Sequence, residues 1–135
     1  MNERYLRGVD IIQQLAADRF EQFMTSEIAE IAPDFARMAV EFAFGDLYAR
    51  DKLDLRSREI AAIASLATMG DAIPQLRNHV RAAANLGVAK GEIIEILMQT
   101  AVYAGFPAAL RALAACHDLL TETAPQAACR ATGQG

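Results

Sequence analysis

Residues 55–70 read LRSREIAAIASLATMG, a helix and its stop. Ile60, Ile63, Ala64 and Ala67 recur at three- and four-residue spacing, which lines them along one broad face of a helix over Leu55–Met69. Gly70 stands where the chain must leave the helix, because glycine reaches the left-handed backbone that closes a last turn. Asp71 is placed to cap a following helix that opens with Pro74, runs to about Leu86 and stops at Gly87. A further helix starts near Lys90. Ile93, Ile94, Leu97, Met98, Ala101 and Val102 form its apolar stripe, Glu92, Glu95 and Gln99 its wet side, and Gly105 its end. Pro107 then opens a last helix to about Thr121, with Leu110, Leu113 and Leu120 in its stripe.

Upstream, the charged turn Arg50-Asp51-Lys52 separates this block from a helix opened by Pro33. That helix carries Phe35, Met38, Ala39, Phe42 and Leu47 on overlapping apolar faces, with Gly45-Asp46 interrupting it or near its end. Phe20–Ile31 reads as a short helix or irregular connection, and residues 2–17 as a first helix with Tyr5, Val9, Ile12 and Leu15 inward. The sum is an all-α chain of about six helices with no persuasive strand. One domain over residues 1–122 is expected, followed by a flexible tail, 123–135, with little to bury.

Composition agrees. Of 135 residues, 53% are hydrophobic but only 7% aromatic, and the abundant Ala and Leu favour helices over strands. The formal net charge of -4 argues against nucleic acid or an anionic membrane as partner. No exposed cluster of Arg, Lys, Asn and Gln marks a DNA-reading helix. Charge-free stretches are too short to span a bilayer, and Met1–Arg4 lacks the apolar core of a secretory signal, so a cytoplasmic protein is expected. Cys116 and Cys129 form neither a CxxC pair nor a metal set. The mean hydropathy of +0.14 is high for so small a chain, and the surplus, in residues such as Ile93, Leu97, Met98, Leu110 and Leu113, points to surface shared between subunits.

Gln75 and His79 lie four apart on one helical face, Arg77 and Arg81 on another. A histidine among polar and cationic neighbours is a candidate acid/base group near neutral pH. The same residues also have plain structural uses. His79 fits an ordinary surface or interface histidine, Glu59 a carboxylate complementing a helix dipole, Arg77 and Arg81 a solvated face, and Tyr103 core packing. His117, in the last helix's stripe, reads as a core or interface residue.

Three blocks in order, Leu76-Arg77-Asn78-His79-Val80-Arg81-Ala82-Ala83, Asn85-x-Gly87-Val88 and Ala101-Val102-Tyr103-Ala104-Gly105-x-Pro107-Ala108-Ala109, resemble the carboxymuconolactone decarboxylase family. Phe44-Gly45-Asp46-Leu47-Tyr48 and Arg56-Ser57-Arg58 resemble the upstream pattern of its decarboxylase branch. The resemblance implies an AhpD-like all-α fold, a homo-oligomer (trimer or hexamer), and His79 as active-site histidine. The related alkyl hydroperoxidase group uses a CxxC pair upstream of the histidine. No cysteine lies between Glu59 and His79, so that thiol chemistry is excluded at this site. Glu59 and His79 still resemble that group's acid/base pair.

The family reaction removes carbon dioxide from 4-carboxymuconolactone. The lactone carbonyl, conjugated through a double bond, accepts the electrons, so no cofactor or metal is required. The implied roles are His79 as proton donor, Glu59 orienting it, and Arg77 or Arg81 gripping a small anionic substrate, with Gln75 and Tyr103 as further contacts. The sequence departs from the branch pattern at Phe42, where a histidine is usual, and at Glu59, Gln75 and Leu110. Two other readings are a proton-transfer or isomerase enzyme and a non-catalytic ligand-binding oligomer.

Overall fold

A computed structural model describes residues 2–121, and every regular element among them is helical. Two short-range rules start the chain. Asn2 caps α1 (Glu3–Leu15) by accepting from the Tyr5 amide at 2.8 Å, and Tyr5, Gly8, Ile12 and Leu15 form its buried face. The connection to Ile31 resolves into two short helices, α2 (Arg19–Met24) and α3 (Glu27–Ile31). Pro33 opens α4 (Pro33–Ala39), which passes without a break into a π-helix, Val40–Tyr48.

The π-helix packs against α1, and two glycines allow it. A Cβ at Gly8 would collide with the Val40 backbone carbonyl, and one at Gly45 with the Arg4 carbonyl. Residue 8 opposite 40 and residue 4 opposite 45 make the pair antiparallel. Arg4 then ties the end of the contact to Asp46 and Glu41. Tyr5, Ile12 and Val40 are the buried centre of this half, flanked by Phe20, Phe23 and Phe44. The apolar face expected for the Pro33 helix is left uncovered within the chain: Phe35, Met38, Phe42 and Leu47 are exposed, whereas Ala36, Val40 and Gly45 point inward. Within α4 the ordinary period holds, and Phe35, Met38 and Phe42 share the face turned away from Ala36 and Val40; only beyond Val40 do the π-turns shift the period and bring Gly45 inward.

The second half is α5 (Leu55–Met69), α6 (Ile73–Asn85), α7 (Lys90–Ala104), α8 (Phe106–Ala115) and α9 (His117–Thr121). Asp54 caps α5 through the Ser57 amide, and Gly70, at φ 83°, ends it. The expected cap at Asp71 is absent: α6 begins after Ala72 with no side-chain cap, and Pro74 occupies its first turn. The single last helix expected to Thr121 divides at Cys116. Ile63, Leu76, Val80, Ile93, Leu97, Ala112 and Cys116 form the common core. Ile93 and Leu97 thus serve the chain's own interior, while Met98 and Leu110 remain exposed. His117 is exposed as well. The tail and Cys129 lie outside the described residues. No helix of the described chain is long and apolar enough to cross a membrane.

Candidate active site

Glu59 follows the inward line of α5: positions 59, 63 and 67 are all buried, and only the first is charged. Its side chain is fully buried, and Oε2 meets Nδ1 of His79 on α6 at 2.5 Å. His79 sits between the buried Leu76 and Val80, on the edge of the α6 core face, and its side chain is 15% exposed. With Glu59 ionised, the imidazole Nδ1–H donates to it and Nε2 is the ring's second functional position. Glu59 Oε1 is buried without a hydrogen-bond partner among the described residues. A buried acceptor left unmade costs about 1–3 kcal/mol.

Two side chains join the pair that sequence spacing did not select. Tyr48 ends the π-helix, and burial first, then the nearby Glu59 charge, push its phenol up to about 12. It therefore stays a hydrogen-bond donor at neutral pH. The Arg58 guanidinium covers its ring at 5.8 Å. Arg19, at the start of α2, donates through Nη1 to the Asn78 carbonyl at 3.3 Å, one residue before His79. Burial pulls its pKa below the usual arginine range, partly opposed by the Glu59 charge and deepened by Arg81.

Arg19 lines two cavities. One, of about 140 Å³, has apolar walls from Ile12, Leu15, Phe23, Ala39 and Phe44. The other, of about 360 Å³, is bounded by Ala16, Asp18, Gln22, Asn78 and Arg81. Arg81 is exposed, with Nη1 at 3.4 Å from Asn78 Oδ1.

The remaining sequence candidates lie apart. Arg77 makes a two-pronged ion pair with Asp118, at 2.6 and 2.9 Å, and donates to the Ala115 carbonyl. It pins α6 to the end of α8 and to α9, which gives it a structural employment. Gln75 is exposed. Tyr103 is 83% exposed, so it is not core packing, and it borders a groove between α5 and α7 with Ile60, Ala64 and Ile96. The structure therefore joins Glu59 and His79, brings Arg81 near through Arg19, and leaves Arg77 and Tyr103 in other surroundings. Tyr48 had a sequence signal in its aromatic-glycine block. Arg19 had none, because α2 is too short to show a period.

The family model described as carboxymuconolactone decarboxylase family matches residues 33–118, which include Tyr48, Glu59 and His79 but not Arg19. A 4-carboxymuconolactone decarboxylase of Acinetobacter baylyi is 29% identical over 111 residues, 82% of each chain. An uncharacterized 15.0 kDa protein of Paracoccus denitrificans is 31% identical over 103 residues, 76% of this chain and 77% of its own. With its all-helical architecture and a family match over most of its length, the chain belongs to the carboxymuconolactone decarboxylase family.

Proposed function

We propose that this chain is a cofactor-independent carboxy-lyase acting on a small carboxylated lactone such as 4-carboxymuconolactone, with His79 as proton donor. The observation that carries the proposal is the hydrogen bond from His79 to a fully buried Glu59, in a chain 29% identical to a 4-carboxymuconolactone decarboxylase. The reaction breaks one C–C bond. Its electron pair passes through the ring double bond into the lactone carbonyl, giving a dienolate as carbon dioxide leaves. The Nε2–H of a protonated His79 then returns a proton to the carbon next to the carbonyl, which restores C=O and leaves the double bond shifted. Glu59 holds the imidazole in register, and the Tyr48 hydroxyl is a donor suited to the enolate oxygen. Self-association into a trimer or hexamer belongs to the same proposal, supported by the exposed Phe35, Met38, Phe42, Phe106 and Leu110.

An ultraviolet turnover assay on 4-carboxymuconolactone, with carbon dioxide release measured in parallel, tests the reading. Turnover by the wild type that His79→Gln loses supports it. Full turnover by His79→Gln removes the proton-donor role. A wild type inert on this lactone and its close relatives overturns the decarboxylase.

A further inference from the structure

We infer that Arg19, with Arg81 beside it, anchors the carboxylate that a dicarboxylate substrate keeps through the reaction. The inference rests on the decarboxylase reading for its chemistry and on the geometry of α2 for its site. Arg4, Arg7, Arg37, Arg56 and Arg77 each have a carboxylate within 4.0 Å. Arg19 is half-buried and has none among the described residues. Its one hydrogen bond goes to the Asn78 carbonyl, although a guanidinium carries five N–H donors. A cation withdrawn from water without an anion in contact is costly, and the Glu59 charge reaches Arg19 only from beyond ion-pair distance; a planar fork is the group that takes a carboxylate two-pronged.

The surroundings say which carboxylate. Arg19 stands where the apolar cavity and the polar cavity meet, and Arg81 and Asn78 line the polar one. Asp18 on the same wall accepts from Gln22 at 2.9 Å and is not ion-paired to either arginine. A carboxylate that leaves as neutral carbon dioxide loses its charge on the way to the transition state, so gripping it with arginine would hold back the ground state. It belongs against apolar walls such as Phe44 and Ile12. A carboxylate that stays keeps its charge throughout, and an arginine on it binds ground and transition states alike. Such an anchor reads out in KM rather than kcat.

The test uses the full-length chain with two probes, 4-carboxymuconolactone for turnover and adipate, a dicarboxylate that lacks the lactone electron sink, for calorimetry. Arg19→Gln raises KM for the lactone about 10- to 100-fold and weakens adipate by a similar factor. Its kcat stays within about threefold of wild type, as uniform binding requires. The dimethyl ester of adipate, which has no carboxylate left to anchor, binds the wild type as weakly as adipate binds the variant. Arg56→Gln, which loses only an exposed ion pair with Glu92, is the control for lost positive charge and leaves KM unchanged. Arg81→Gln changes KM in the same direction as Arg19→Gln and decides the matter should the latter not fold. Arginine-dependent binding of adipate without lactone turnover keeps the anchor and overturns the decarboxylase. Turnover with KM unchanged in Arg19→Gln, or in Arg81→Gln where that variant decides, overturns the anchor. So does a wild type that binds neither probe.

Discussion

His79 Nδ1 and Glu59 Oε2 lie 2.5 Å apart, joining α5 to α6 across a gap of twenty residues, and the carboxylate has no exposed surface at all. A solvent-free carboxylate is a poor device for stability, since a well-packed neutral residue serves as well or better. The same carboxylate is well suited to fix one edge of an imidazole while the other faces outward.

That contrast separates activity from stability in one substitution. Glu59→Gln keeps the shape and a hydrogen bond to a neutral imidazole but loses the charge. Stability should change by no more than about 1 kcal/mol, read by chemical denaturation. Turnover should fall by about 10- to 100-fold, and by about 10²- to 10⁴-fold in His79→Gln, where the proton donor itself is gone. Equal losses of stability and turnover in Glu59→Gln would make the pair structural.

Close packing of α1 on the π-helix predicts a sharp difference among glycines. Gly8→Ala and Gly45→Ala each drive a methyl into a backbone carbonyl, of Val40 and Arg4 respectively, and should cost about 1–3 kcal/mol. Gly91, inside α7, offers open space instead, and a methyl added there meets nothing within 4 Å. Gly91→Ala should stabilise by about 0.5–1 kcal/mol through backbone entropy. Denaturant melts of the three variants check the order.

Much of this architecture was legible because strong periodicity meets clear stops. The bounds Leu55–Met69 follow from Ile60, Ile63 and Ala67 with Gly70 behind them, and Gly87, Gly105 and Pro107 mark the later boundaries equally well. The π-helix was not legible: five residues separate the buried Val40 from the buried Gly45, a step that a 3.6-residue period places on different sides. Of the site, spacing offered His79, and Glu59 had the further signal of standing four residues before Ile63. Arg77 drew attention as a cation near His79, yet Asp118, forty-one positions on, claims it. Arg19 was hidden because its position depends on how α2 meets α6, a long-range contact that local sequence does not encode.

Tyr48 gives a pH dependence with a fixed sign. Its phenol titrates at about 12 in the folded chain, above the ordinary value of 10.0. The folded state therefore holds that proton more tightly, and the stability present below pH 10 declines as pH rises from 10 towards 12. The side chain is only half-buried, so solvent screening reduces the loss to the order of 1 kcal/mol. Tyr48→Phe should flatten that part of the stability–pH curve.

The Arg77–Asp118 pair has the opposite sign. Asp118 is held at about 2, below the ordinary 3.8, chiefly by its hydrogen bond from Arg77. Its contribution is complete above the ordinary carboxylate value and disappears as pH falls through about 2. Protection factors of the α9 amides, taken against the intrinsic exchange rate at each pH, should fall over that interval. In Asp118→Asn the protection should be lower from the outset and lose this acid dependence.

Exposed apolar surface yields the last prediction. Phe35, Met38 and Phe42 are 64%, 59% and 59% exposed, and together they form a patch that a chain with so much apolar residue content has not buried for itself. Covering one such phenylalanine is worth about 1.5–3 kcal/mol, and a symmetric assembly gains it once per copy. The trimer or hexamer that the family resemblance implies would then give a mass near three or six times 14.6 kDa by light scattering. Phe35→Asp should shift the population towards the single chain while leaving helical circular dichroism intact, because Phe35 contributes nothing to either buried cluster. A wild type that runs as one chain at micromolar concentration removes the self-association. The patch would then need another occupant, and the small core of each half would have to hold the Glu59–His79 geometry unaided.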